Sequence, residues 1–416
     1  MKKYVFFSGY IGGMGGGQLY VRNKLLYLRE HGWTVDVFSQ EVLSIFIPEL
    51  KEFSKNCFLP DVPIYYMLPK KQRNLVKNIA HKIKDHDYEE IIIESNSITL
   101  GLLAENVSKV IGAKHFIFVL DEKNEVTNKG VQDYLVFKHS RRELVGITKI
   151  SLLRMFSSFY PIKQEDSYEL DASLLGCVAD VDSPFIHRID RNKYDYIVGS
   201  LTRLNKSFVI PAITEFCDYA KAKKDKKFLL ILIGDSKLDK EQVPRIEKLL
   251  QSVKHNVEYI ITGYVFPVPT RLLELCDSLF ASSGSAYACM CSGVPTISFD
   301  GNDCKPIGVL GRTTNNGLFR NEDEPSLSFS RLLDDILVSK KFEKKQSTFN
   351  NVLPDYKAHL EFLRSTESRK EYFDISTIKP ITKSEKLYGF IFSVFGSSTY
   401  KKVLNMRLKI HDVCGR

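Results

Sequence analysis

Apolar runs without polar alternation constrain this chain more than any other feature. Ile91-Ile92-Ile93 shows the type, three β-branched residues in a row, as a strand needs when both its faces are covered. Tyr4 to Ser8 is a second such strand. A glycine-rich turn follows it, then a helical stretch from about Gln18 to His31 with Leu19, Val21, Leu25, Leu26 and Leu28 on one stripe and Gly32 at its stop. Thr34 to Ser39 is the next strand, so the chain opens as a βαβ unit.

The alternation continues through helices at about 70–84, 98–111 and 131–138 and strands at 90–94, 115–120 and 144–148. It restarts at Tyr194, with strands at 194–198, 228–233, 257–261, 278–281 and 294–299. Helices are predicted near 208–222, 239–253, 286–291, 326–338 and 356–363. Two doubly wound sheets follow, joined by a hinge near Asp182 to Lys193, and 416 residues at 44% hydrophobic content suffice for two cores. The expected fold class is α/β, two Rossmann-like doubly wound domains facing across a cleft. The first spans 1–185 and the second 194–350. The stretch 351–416 is expected to be helical, with packing on the first domain and contact with a membrane both open.

Three strand-to-helix turns carry candidate chemistry. The first, Ser8 to Gln18, holds Gly12, Gly13, Gly15, Gly16 and Gly17, whose bare backbone can bring amides to an anion at a helix start. It is not GxGxxG, since Gln18 stands where the last glycine belongs, and no Gly-Lys-Ser/Thr makes it a Walker A loop. In the second, Gly199 and Ser200 lead to Arg203 and Lys206, two cations at a helix entry that could clamp a diphosphate. The third, Ser282-Ser283-Gly284-Ser285-Ala286, offers amides and hydroxyls to a phosphate, and the same residues equally suit a serine-capped helix.

In this order the motifs resemble glycosyltransferases of the GT-B fold, the large retaining family four (group 1). The likeness spans about Tyr4 to Leu363. Gly12 to Gln18 matches that family's opening glycine loop, and Gly199-Ser200-Leu201 with Lys206-Ser207 its Gly-Arg-Leu…Lys-Gly. Ala288 to Pro295 matches the close of its donor motif. Ile233-Gly234-Asp235 and Gly263-Tyr264 match its later glycine turns. The resemblance implies donor contacts from Gly15, Gly16, Gly17, Gly199, Ser200, Asp235, Gly263, Tyr264, Ser283, Gly284, Ser285 and Ala286. It also implies a nucleoside-diphosphate sugar as substrate and no cofactor. One departure stands out: the family's paired glutamates are missing, Ala288 occupies the second position, and no acid occurs between Asp277 and Asp300. Asp300 and Asp303 are the nearest acids, and an Asx turn is favoured over ligand binding as the reason for them.

A general base is expected from strand ends of the first domain. Asp121 and Glu122 follow the fourth strand and Glu94 the third, although surface acids are commoner there. Arg203 and Lys206 complete the expected catalytic group by stabilising the leaving diphosphate. His139 and Arg142, in a dense polar run, are expected on the acceptor side with Glu94. No metal is expected, because Asp85-His86-Asp87 and Asp180-Val181-Asp182 precede a strand and sit at the hinge.

Net charge is +9, from 59 Lys+Arg against 50 Asp+Glu, too dilute for a nucleic-acid binder but suited to a nucleotide or an anionic surface. A basic amphipathic stretch (Lys70, Lys71, Arg73, Lys77, Lys82, Lys84) and the aromatic run Tyr388 to Phe395 point to peripheral contact with anionic membrane, with core packing the rival for the tail. Eight cysteines without a CxxC read as reduced thiols, and with no leader or spanning segment the expected place is the cytoplasm, at the inner membrane face. The expected activity is hexosyl transfer to a polysaccharide or lipid-linked oligosaccharide. A sugar-nucleotide epimerase of the same fold and a non-catalytic partner protein are the alternatives.

Overall fold

The computed structural model describes residues 1–40, 45–55, 58–120, 125–172, 177–236, 241–349, 354–365 and 371–414, with side chains as far as 404. The chain divides into two compact units: Met1–Ser173 with Pro354–Arg416, and Leu174–Leu353.

The first unit is built on five parallel strands, β1 (Lys2–Ser8), β2 (Trp33–Ser39), β3 (Glu90–Ser95), β4 (Lys114–Val119) and β5 (Leu144–Gly146), in the order β2-β1-β3-β4-β5. The apolar strands are buried along most of their length, as double cover demands. Local chemistry sets the helix limits. Ser97 caps Ile98–Ile111 by accepting from the Leu100 amide, and Gly112 closes it at φ 71°. Gly32 (φ 79°) stops the first helix, Gly16–Glu30, as its position predicts. The strand predicted over 144–148 is shorter, because Thr148 forms a capping box with Ser151 and opens the helix Lys149–Phe156.

The second unit adds β6 (Val178–Ala179), β7 (Tyr196–Leu201), β8 (Phe228–Ile233), β9 (Val257–Ile261), β10 (Val268–Pro269), β11 (Ser278–Ala281), β12 (Thr296–Phe299) and β13 (Pro306–Val309). β6 and β10 pair by themselves. The other six form one sheet, β13-β12-β11-β7-β8-β9, parallel except for the last strand, which pairs antiparallel to β12. Counting along the chain from β7, the parallel part has the 3-2-1-4-5 order of a Rossmann domain.

After leaving the second unit the chain is fastened back onto the first by polar groups inside it. His359, in the helix Lys357–Ser365, receives Lys24 Nζ at its Nδ1 (3.2 Å) and donates from Nε2 to the Asp171 carbonyl (2.9 Å). The Phe373 amide donates to Glu105 (2.9 Å) and the Tyr372 hydroxyl to the Ala113 carbonyl (3.0 Å). Glu105 also pairs with His115 (2.7 Å) and Lys138 (3.0 Å), all three buried. Since a carboxylate only accepts, His115 carries its proton on Nδ1 and accepts from Ser95 Oγ at Nε2 (3.0 Å).

Acid should loosen this unit. Burial, with Lys138 next in weight, holds His115 at about 4, and burial beside Lys24 holds His359 at about 2. Unfolded histidine titrates near 6.5, so below that pH the unfolded chain binds more protons. Stability is complete above about pH 6.5 and falls toward pH 4 by up to about 1.4 kcal/mol per unit for each histidine. Glu105, held near 2 although burial opposes it because Lys138 and His115 face it, adds a further loss below about pH 4.5. Urea midpoints at about pH 7.5 and pH 5 measure the slope, which the double variant His115→Gln, His359→Gln should flatten.

Candidate functional site

Open α/β sheets take ligands outside the carboxyl ends of their strands, where the strand order reverses. In the second unit that point lies between β7 and β11. Thr202 to Ser207 leave β7 there, and Ser282 to Ser285 leave β11.

Lys206 spans the two turns, donating from Nζ to the Ser282 carbonyl at 3.1 Å. Burial, reinforced by the neighbouring Arg203 charge, pulls it down to about 8. Arg203 is exposed, and among the described residues neither cation has a carboxylate partner. Most other buried or half-buried cations in the molecule are neutralised: Arg191 grips Asp277 with two bonds, Arg320 pairs with Asp303, and Lys24 with Glu94. Two uncompensated cations at a switch point form an anion site in waiting.

Ser283 faces them in an unusual backbone conformation, φ 63° and ψ −145°, a region that costs a non-glycine residue about 1–3 kcal/mol. Its amide is fixed by the Gly317 carbonyl at 2.6 Å. Its side chain makes no cap bond to the helix Gly284–Cys291. The serine-cap alternative is therefore not what the turn does: among the described residues the first amides, at Gly284 and Ser285, have no acceptor, while the Ala286 amide turns back to the Ser283 carbonyl.

The rim continues over the neighbouring strands. Gly234 (φ 150°) lies so close to the Thr202 carbonyl that a Cβ would sit 1.8 Å from it, which locks the end of β8 against the loop after β7. Asp235 is tied in on both sides, its carbonyl accepting from the Leu204 amide (3.1 Å) and its carboxylate from the Ser236 amide (2.7 Å). Gly263 (φ 69°) bridges to Gly234 and carries Tyr264 on the same edge, two strands from β7. Asp300 forms the Asx turn, accepting from the Asn302, Asp303 and Arg320 amides at 2.6, 3.1 and 2.7 Å.

Several expected residues stand elsewhere. Gly199 and Ser200 lie inside β7, not in the turn. A Cβ at 199 would meet Cys276 Sγ at 2.5 Å, and Ser200 Oγ donates to the Phe280 carbonyl across the sheet at 2.7 Å. Glu94 is within β3, fully buried, and takes bonds from Tyr4 (2.6 Å), Tyr20 (2.7 Å), Lys24 (2.7 Å) and Asn96 (2.8 Å), which leaves it no lone pair for an acceptor. His139 and Arg142 belong to the end of the helix Lys129–Ser140 and the turn into β5. A helix between parallel strands returns to their amino ends, so both are on the edge opposite the switch point. His139 pairs with the Asp166 carbonyl, and Arg142 stacks on Tyr168. Gly15, Gly16 and Gly17 do reach the first unit's own switch point, between β1 and β3, where Gly15 precedes the helix and Gln18 fastens the loop by donating to the Tyr10 carbonyl (2.6 Å). Asp121 and Glu122 lie outside the described residues. Ser95, His115 and Glu105 are hydrogen-bonded in series like a nucleophilic triad, but all three are buried, Glu105 on the inner face of the helix Ile98–Ile111 and the other two on the strands beneath it, so none can meet a substrate.

No protein-family model matches the chain, and no curated protein does. Solved structures do, and the fold they share with it is that of GT-B glycosyltransferases, two Rossmann-like domains. HepE of Anabaena, solved with UDP and glucose, is similar at a TM-score of 0.56 and 13% identity over 88% of this chain and 96% of its own. Sucrose-phosphate synthase of Thermosynechococcus elongatus is similar at 0.53 and 14% identity, over 88% and 95%. TarM of S. aureus, solved as a mutant with UDP among its ligands, is similar at 0.52 and 12% identity, over 88% and 97%. Likeness at this identity is one of fold.

Proposed function

We propose that the chain is a glycosyltransferase that binds a nucleoside-diphosphate sugar at the β7/β11 switch point. The observation that carries this reading is the pair of uncompensated cations, Arg203 and Lys206, set against the uncapped, strained turn at Ser283-Gly284. A diphosphate supplies the charge that site lacks. As the sugar leaves, negative charge grows on the diphosphate, and preorganised donors stabilise it without reorganising. Arg203, Lys206 and the amides of Gly284 and Ser285 fill that role in place of a metal ion. A hexose is the transferred group, and a polysaccharide or lipid-linked oligosaccharide the acceptor, on the cytoplasmic side. HepE, of the same fold, has been solved with UDP-glucose, which makes UDP the first nucleotide to try.

A second reading rests on one specific observation. No acid occurs between Asp277 and Asp300, and the Asp300 carboxylate is spent on three backbone amides. A chain that binds the nucleotide but serves a second transferase as a non-catalytic partner has the same site.

Calorimetric titration of UDP, followed by turnover of UDP-glucose, UDP-galactose and UDP-N-acetylglucosamine with and without oligosaccharide acceptors, separates the readings. Binding with turnover supports the transferase. Binding without turnover supports the partner protein, and absence of binding to any nucleotide-sugar sinks both.

A further inference from the structure

The last helix, Lys383–Cys414, is apolar on the side that faces water. Leu387, Phe390, Val394 and Phe395 are 55%, 48%, 52% and 61% exposed. Leu387, Phe390 and Val394 share one face at helical spacing, and Phe395 adds to them from the end of the last turn before Gly396. The helix is firmly seated beside this stripe, with Tyr388, Ile391, Phe392 and, beyond Gly396, Tyr400 packed among Val62, Tyr66, Met67 and Leu75. Gly389 lies so close to the Tyr66 carbonyl that a Cβ would stand 1.8 Å from it. The outward stripe is thus presented by an anchored helix. Gly396 (φ 82°, ψ 179°) interrupts the helix immediately after Phe395 and ends the stripe.

The patch extends onto a second element. Leu68, 44% exposed, donates its amide to Ser393 Oγ at 2.9 Å and leads into the helix Pro69–Ile83. That helix shows Lys70, Lys71, Arg73 and Lys77 to solvent, and Lys383 and Lys386 stand on the stripe's own helix. The nearby acids are engaged: Glu385 accepts from the Ile381 and Thr382 amides, and Asp61 pairs with Lys401. An apolar centre with a cationic rim matches an anionic bilayer interface, where large side chains enter between headgroups and lysines meet lipid phosphates. No helix among the described residues is long and apolar enough to cross a membrane, so the contact is one of lying on the surface.

We propose that the first unit docks on an anionic bilayer through the stripe Leu387, Phe390, Val394, Phe395, extended by Leu68 and ringed by lysines of both helices. The surface is separate from the donor site, and its test uses no turnover.

The full chain is sedimented with vesicles of phosphatidylcholine alone and of phosphatidylcholine mixed with phosphatidylglycerol. It should pellet with the mixed vesicles only, and high salt should release it. Phe390→Ser with Phe395→Ser should weaken partitioning by about a hundredfold. Lys70→Ala with Lys71→Ala should weaken it by about thirtyfold. Val110→Ser, at an exposed apolar position elsewhere in this unit, should leave it unchanged. Circular dichroism and UDP titration of each variant check that the fold is retained. Failure of the wild type to bind, equal binding to both vesicle types, or full binding by the double phenylalanine variant would overturn the proposal. So would a concentration-dependent dimer in analytical ultracentrifugation that this variant abolishes, which would assign the stripe to a second copy of the chain.

Discussion

Lys206→Ala is expected to weaken UDP binding by about ten- to hundredfold, the worth of one hydrogen bond to a charged group. Turnover of a nucleotide-sugar should fall further, on the order of a hundred- to a thousandfold, because a donor aimed at the leaving diphosphate is worth most in the transition state. The wild-type affinity should itself depend on pH, in a direction fixed by the site. Lys206 titrates near 8 because it is half enclosed and repelled by Arg203. The cationic form binds phosphate, and the last phosphate proton is lost below about pH 7. UDP affinity should therefore hold near neutral pH and decline by up to about tenfold per unit once the pH passes about 8, with uptake of one proton on binding. Lys206→Ala should remove this decline. Arg203→Ala should instead weaken binding at neutral pH and move the decline to higher pH, since it removes a repulsion that depresses Lys206. Calorimetry from about pH 7 to 10 in two buffers of different ionisation heat checks both the affinity and the proton count. A flat profile in the wild type would remove Lys206 from the phosphate site.

Much of this site could be read from the sequence because strand-to-helix turns announce themselves. Gly9 to Gly17, Arg203 to Lys206 and Ser282 to Ser285 each stand between an apolar run and a helical stretch, and in the structure all three are at carboxyl ends beside a switch point. Where β7 ends was harder to read. Gly199 looks like a turn residue, yet the glycine is there because Cys276 and Leu279 fill the space of its side chain, a contact between positions about eighty residues apart. Ser200 likewise spends its hydroxyl across the sheet. His139 and Arg142 were a different matter, since the topology implied by the pattern already places a helix-to-strand turn at the amino edge, away from ligands. The strained backbone of Ser283 left a faint trace, two serines before a glycine where one small residue would serve as cap. The conformation itself depends on the Gly317 carbonyl, from a loop beyond β13. Glu94 was the least legible. An acid near a strand end reads as solvent-facing, and only Tyr4, Tyr20 and Lys24, all brought in from far along the chain, show that it is not.

That burial turns Glu94 from a candidate base into a stability determinant, with a second large expected effect. Glu94→Ala should destabilise the first unit by about 3–5 kcal/mol, because it leaves the Lys24 ammonium in the core without its counter-charge and the Tyr4 and Tyr20 hydroxyls without an acceptor. Glu94→Gln separates charge from shape. The amide oxygen still accepts from a tyrosine, but Lys24, which burial already lowers against the pull of Glu94, loses that pull and is driven toward the neutral form. Below the lowered value the unfolded and folded chains both hold the proton, and the variant bears the full cost of a buried charge. Above it the unfolded chain, with Lys near 10.4, binds more protons than the folded one, so stability rises with pH. The Glu94→Gln defect in urea unfolding should accordingly be smaller at about pH 9 than at pH 7, and adding Lys24→Met should recover most of it at both. UDP affinity, which is proposed for the other unit, should be unchanged wherever the variants are folded. A general base would behave in the opposite way: Glu94→Gln would keep its urea midpoint and lose turnover, and that pair of results would return Glu94 to the acceptor side.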